Sequence, residues 1–307
     1  MNLIGRKRPK ETAVAVTPST LLAGERAHRS GWSRGWTRFK RYKPAIAGLV
    51  FLCILAVLAI IPGVFAPYDP TLANPDLLGS PPSWSHPLGF DEIGRDELIR
   101  IIYGTRVALI VALLATAMAV TIGVLVGAAA GYFGGWVDSV LSRLVDTIMA
   151  FPTIALLIAL VAVVGPSLKT TIIVIGATVW AAYARVARGD VLSLRERDFI
   201  VAARAVGANH TRIIVRHIVP NIAGPIIVLS TLAVGGIIIL EAALSFLGLG
   251  VQPPTADWGS MLASARAYIQ TYPHIAIAPG VMISLTVLAF NLIGDGLRDA
   301  LDPRGRD

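Results

Sequence analysis

The sequence predicts an all-α membrane protein with six transmembrane helices, and three observations predict it. Of the 307 residues, 55% are hydrophobic and only 15% charged, a ratio foreign to a soluble chain of this length. The apolar residues fall in long charge-free blocks, and a spanning helix needs about 20 of them, within a range of roughly 17–25. Lysine and arginine are also unevenly shared: with the N-terminus inside, the inner segments hold 22 and the outer segments 5. The opposite topology would invert the preference of basic residues for the cytoplasmic side, so both termini are expected there.

Residues 1–43 form a basic cytoplasmic tail with 11 lysines and arginines. Its first part, with Pro9, Pro18 and Gly24, reads as disordered. Nearer the membrane, Trp32, Trp36 and Phe39 are spaced i, i+4, i+7 among basic residues, the pattern of an interfacial helix on anionic lipid. The first span occupies 44–66, with its charge-free block at Pro44–Ile61. It starts too late for an ordinary signal peptide, has no small-residue cleavage site after it, and reads as an anchor. It contains Cys53, the single cysteine, so no disulfide forms within the chain.

An extracytoplasmic segment follows at 67–102, rich in proline and turn residues. Its His86, Asp91, Glu92, Asp96 and Glu97 match no metal-ligand spacing and read as a solvated face. The core runs over 103–304, with 305–307 as the end of the chain. Val107–Val137 holds one long helix and an interfacial turn at Gly131–Gly135; it is too short for two spans. Thr147–Leu168 is the third span, with Asp146 placed to pair locally with Arg143. Thr170–Ala184 is short, but Lys169 and Arg185 can snorkel at its ends. Ile218–Leu240 and Ile275–Gly294 complete the six. Between them, 249–274 carries Trp258, Tyr268 and Tyr272, placed as interfacial aromatics are.

Enzyme chemistry has little support. No G-x-x-x-x-G-K-[ST] loop, H-E-x-x-H, C-x-x-C or G-x-S-x-G occurs. His210 and His217 can share a helix face, yet nothing nearby completes a zinc site. The net charge of +8 lies beside membrane spans, so it reports topology rather than nucleic-acid binding. Glu241 is the main intramembrane acid, and functional and structural roles are both open to it. A proton- or sodium-driven carrier would carry more such acids.

The most informative stretch is the polar island 185–220, with seven arginines between two apolar blocks. Asp198 can cap a short helix whose Ala202, Ala203 and Ala205 give it a small-residue face. Gly207 ends that helix as a left-handed C-cap. A second helix is expected from Asn209 to about Val219, and Pro220 removes a backbone donor where the next span begins. The product is a rigid knob at the cytoplasmic surface, suited to docking a cytosolic partner.

At these residues the chain resembles ABC importer permeases. AARAVGA, with Ile218-Val219-Pro220 eleven residues beyond Gly207, is similar to their "EAA" coupling motif, with Val201 in place of the leading glutamate. His86–Leu109, Glu241–Leu262 and Asn291–Arg304 resemble the dipeptide/oligopeptide/nickel branch, "C" type subunit. The resemblance covers about residues 40–304. It implies a type I ABC importer (MetI-like) architecture with a cytoplasmic coupling helix. It implies peptide import beside a homologous "B" type permease, two ATPase subunits and an extracytoplasmic peptide-binding protein. ATP and Mg would bind the ATPases and no cofactor this chain. Asp198, Ala202, Ala203, Arg204, Gly207, Ile218 and Pro220 would carry the coupling; Gly94, Arg95, Asp96, Glu241, Asp257 and Trp258 are pathway or structural candidates. Nickel or another small solute is the alternative cargo. A secondary transporter would work without an ATPase, and a membrane-embedded enzyme would need a nucleophile and base within the spans.

Overall fold

The structure is a computed structural model that describes residues 31–66 and 68–301. The tail before residue 31 and the residues after 301 lie outside it, including the segment expected to be disordered. The helices that matter here are α1 (Gly31–Arg41), α2 (Lys43–Ile60), α3 (Glu97–Phe133), α4 (Gly135–Ala150), α5 (Thr153–Val164), α6 (Leu168–Leu194), α7 (Asp198–Ala205), α8 (His210–Ile213), α9 (Val219–Phe246), α10 (Trp258–Ala265) and α11 (His274–Leu301), with short turns at Pro62–Phe65 and Pro75–Leu77 besides. A π-helical turn, Ile214–Ile218, joins α8 to α9. Among the described residues there is no strand, only an isolated bridge between Phe90 and Asp96.

Five rods are long and apolar enough to cross a membrane: α2, α3, α6, the α8–α9 rod and α11. The sixth is α4 plus α5, bent by 90°. A straight third span over Thr147–Leu168 was expected, and the sequence itself explains the break. Pro152 lacks an N–H and disfavours helical geometry at Phe151, which adopts φ −85°, ψ 138°. Several helices run further than the charge-free blocks, α3 and α6 among them. α3 begins at Glu97, inside the expected outer segment, because the Asp96 carboxylate caps it by accepting the Ile99 N–H at 3.0 Å. It ends where Gly134 and Gly135 take φ +67° and +54°. α6 continues past Ala184 to Leu194, so it takes Arg185 and Arg188 of the island into a membrane helix.

α3 and α6 are the closest pair, and the reason is a glycine seam. A Cβ on Gly123 would lie 2.6 Å from the Trp180 carbonyl oxygen; one on Gly131 would lie 2.9 Å from that of Arg188. On Gly127, midway, a Cβ would collide with the Ala184 carbonyl oxygen. Spaced four apart, the three glycines form one stripe, and lipid-embedded helices associate through such close approach. Around this pair, Val111, Ala112 and Ala115 of α3, Leu157 and Val161 of α5, Ile175 of α6 and Ile237 and Ile238 of α9 make one apolar core. α11 closes on α2 across Gly48.

α1 is helical as expected, but its apolar residue Phe39 serves this chain's own spans. Phe39 is 4% exposed and packs with Ala45 and Ile293, against Gly296 of α11. Trp36 stacks on it at 5.8 Å between centroids and stays half exposed.

Gly127→Leu should therefore cost about 1–3 kcal/mol or more through overpacking and lower the thermal unfolding midpoint of the purified protein in detergent. Gly189→Leu, one helix surface away with nothing near its Cβ direction, should leave that midpoint unchanged.

Candidate functional site

The island becomes a built surface. α7 starts directly after the end of α6, and Arg197 is its N-cap, without a side-chain cap. Asp198 is thus the first helical residue rather than the expected cap. Its carboxylate still sits at the positive end of the helix dipole. The C-terminus closes as a Schellman motif: Ala208 N–H donates to the Ala203 carbonyl at 3.1 Å and Gly207 N–H to that of Arg204 at 3.0 Å. Gly207 has φ +79°, the left-handed geometry its position requires, and nothing lies within 4 Å of its Cβ direction.

The second helix differs from expectation. α8 is a single turn, capped by Asn209 accepting the Arg212 N–H at 2.8 Å, and it runs without interruption into the span. The π turn absorbs the proline. Val219 N–H reaches back to the Ile214 carbonyl, and Pro220 follows as an early residue of α9. Pro220 therefore continues the rod rather than separating two elements. α8, the π turn and α9 are one rod, and α7 joins it through the turn at 206–209.

Ile200 and Ile213, both 0% exposed, tie the knob down together with Ile218, Ile222, Ala187, Val191 and Tyr132. Ala203 is half-buried against the same cluster, so it faces inward rather than outward as expected. What faces outward is apolar: Phe199, Val201 and Val206 are 43%, 53% and 84% exposed, beside exposed Ala202, Ala205 and Gly207. Arg204 and Arg212 flank this patch. Arg204 also lies over the Tyr132 ring, 5.0 Å from its centroid, and the Tyr132 hydroxyl is hydrogen-bonded to His210 Nδ1 at 2.9 Å. No local pattern signals this Tyr132–His210–Arg204 anchor, because Tyr132 lies 78 residues from His210.

Arginines of the island also brace the broken span. Arg188 grips Asp138 with both nitrogens, Nε at 2.5 Å and Nη2 at 2.7 Å. Asp146 pairs with Arg185 at 2.7 Å and not with Arg143. Arg195 donates to the Gly131 carbonyl at 3.1 Å. The two Asp partners are legible in hindsight as the acids of α4 facing a basic helix.

The remaining candidates lie far from the knob, in two clusters that scaffold the outer loops. In the first, Gly94 takes φ +84°, where a Cβ would collide with the Asn74 carbonyl. Arg95 donates through Nε to Asp91 at 2.6 Å, and Asp91 is buried along with Arg100. Asp96 caps α3 and binds His86 Nδ1 at 2.6 Å. The acids expected as a solvated face are therefore in part a buried charge network. In the second, Glu241 is 1% exposed, accepts from Ser245 at 3.0 Å and faces the Asp257 carboxyl. Asp257, 0% exposed, caps α10 by accepting the Ser260 N–H at 2.9 Å. Trp258 is 1% exposed and donates to the Ile101 carbonyl at 3.1 Å, so it is a core residue and not an interfacial aromatic. Among the described residues, no group of three or more His, Cys, Asp or Glu could hold a metal ion.

A bundle of five spanning-length helices and one bent pair, with a short helical knob running into one of the rods, is the architecture of a multi-pass membrane protein. Residues 119–307 match the binding-protein-dependent transport system inner membrane component, and residues 30–82 the N-terminal TM domain of oligopeptide transport permease C. This chain belongs to that family of ABC permeases. It is 44% identical over 277 residues to the glutathione transport system permease protein GsiD of Escherichia coli O6:K15:H31 (strain 536), covering 90% of this chain and 91% of the relative. The proteins of that name from Shigella boydii serotype 4 and Shigella sonnei match with the same identity and coverage.

Glu241→Gln keeps an oxygen for the Ser245 hydroxyl and offers an N–H to Asp257. Glu241→Leu removes the acceptor of the Ser245 hydroxyl and leaves the Asp257 carboxyl to the Ser260 N–H, at a cost of about 1–3 kcal/mol. Thermal unfolding of the two purified variants should rank Gln close to the parent and Leu clearly below it.

Proposed function

We propose that this chain is the C-type permease subunit of an ATP-driven importer and forms half of a translocation route for short peptides. Its partners are a homologous B-type permease, two ATPase subunits that bind ATP and Mg, an extracytoplasmic peptide-binding protein and the surrounding lipid. The chain itself carries no cofactor and catalyses no reaction. The observation that carries this reading is the packing of the knob on a turn that continues into α9. An ATPase seated on Phe199, Val201, Ala202 and Val206 can drive the rod, since Ile200 of α7 packs with Ile213 of α8 in one buried cluster and α8 runs through the π turn into α9.

The roles divide accordingly. Ala202 and Gly207 leave room for a close-fitting partner. Asp198 and Arg204 border the contact as charges of opposite sign. Ile218 locks the rod to the core, and Pro220 is accommodated by the π turn. Both termini face the cytoplasm, which places the knob on the ATPase side and Trp84, fully exposed, on the side of the binding protein. Asp257 is too deeply buried to take part in that outer contact. Glutathione is a tripeptide, and the relatives named for its transport favour a peptide-like cargo over nickel.

In proteoliposomes holding the whole complex, Gly207→Val should strain the cap by about 1–2 kcal/mol, and Ala202→Trp should obstruct the docking face. ATP-driven uptake should fall sharply in both while the variants still insert and assemble. Normal uptake in both would remove the coupling role. Trp84→Cys in a Cys53→Ser background tests topology: an impermeant thiol reagent should label it from outside intact cells. Unlabelled dipeptides, glutathione or nickel added as competitors during uptake would identify the cargo class.

A further inference from the structure

The backbone of the α4–α5 pair breaks at Phe151–Pro152, where the pair bends by 90°. On one side of the break, Val145 and Ile148 pack with Trp180 and Ala181 of α6. On the other, Leu157 and Val161 pack with Val174 and Ile175. Phe151 and Pro152 therefore lie alongside the charge-free stretch Thr170–Ala184. α5 has 12 residues, about 18 Å of helix against a hydrocarbon core of about 30 Å. Its N-cap, Pro152, supplies no side-chain hydrogen bond, so the first N–H groups of α5 have no helical partner.

This stretch is uncovered. Met149, Phe151 and Ile154 are 43%, 55% and 47% exposed, and Pro152 and Thr153 are exposed as well. Lipid offers no hydrogen bonds. Irregular backbone at membrane depth is tolerated only where protein buries it or water reaches it. A second, independent feature lies toward the island: the Arg185–Asp146 ion pair, whose side chains are 55% and 61% exposed. Exposed charge and exposed, broken backbone thus lie on the same pair of helices. The outward face of α2 shows the contrast. Val50, Ile54 and Val57 are equally exposed, but on an unbroken helix with no charge from Pro44 to Ile61.

We propose that the exposed face of the broken span, from Asp146 through Phe151 and Thr153 to Ile154, is a wall of the water-filled route that the second permease subunit encloses. The assignment rests on the paired-permease reading above. It makes the break at Pro152 the feature that separates the solute-facing side of this chain from its lipid-facing side. The solute then meets apolar side chains and free backbone N–H groups together, a surface for a molecule with both apolar and hydrogen-bonding parts.

Single cysteines test this in the assembled complex, reconstituted with the second permease, both ATPases and the binding protein, in a Cys53→Ser background. A charged, membrane-impermeant thiol reagent is presented from both sides to Phe151→Cys, Thr153→Cys and the lipid-facing control Val57→Cys. Because the thiolate is the reacting form and needs water, residues 151 and 153 should react at least about tenfold faster than 57. Rates as slow as at 57 would place the break against lipid and overturn the proposal. So would reaction in the isolated chain that disappears in the complex in every nucleotide state, which would make the face a dry contact. ATP-driven uptake is measured in the same vesicles. Its absence in the Cys53→Ser parent counts against the importer reading, whereas slow reaction at 151 and 153 in vesicles that do take up solute counts against the wet wall alone.

Discussion

The close approach of α3 and α6 sets the rest of the molecule. Lipid tails are as apolar as leucine, so burial of apolar surface does little to drive two spans together, and packing must do it. Gly123, Gly127 and Gly131 let the α3 backbone lie against the carbonyls of α6. That contact fixes the C-terminal half of α6, and the C-terminal half of α6 positions the knob. Arg188 reaches Asp138, Arg195 reaches the Gly131 carbonyl, and Ala187 and Val191 form the floor on which Ile200 and Ile213 sit. Three residues without side chains, deep in the bundle, thus decide where the docking knob stands.

α3 works as a spine in both directions. At its inner end Tyr132 holds His210 and underlies Arg204. At its outer end Asp96 caps it, Asp91 gathers Arg95 and Arg100, and the Ile101 carbonyl receives the Trp258 indole. One helix therefore contacts the knob at one end and the loop clusters at the other. Within the knob, the glycine cap is internally hydrogen-bonded and the second turn is already part of a spanning helix. The broken α4–α5 pair contrasts with this. Its backbone is interrupted, its outer face is uncovered, and two arginines of α6 hold it by ion pairs.

The sequence by itself determined the class of the protein. Charge-free blocks of spanning length, basic residues on alternate segments, and the Ala202–Gly207 pattern before Pro220 are local signals, and each arises from a constraint that acts locally: hydrocarbon thickness, charge transfer cost, and the φ > 0 that only glycine takes easily. The break at Pro152 was equally local and could have been read from the residue before it. Only the tertiary structure decided which way side chains face and what long-range partners they find. Ala203 turned inward and Phe199 outward; Asp146 took Arg185 rather than its near neighbour Arg143; Asp257 and Trp258 went to the core instead of the surface. Those outcomes depend on helix rotation about the bundle axis. A membrane helix apolar on every face carries almost no periodic signal to fix that rotation; the glycine seam between α3 and α6 fixes it here.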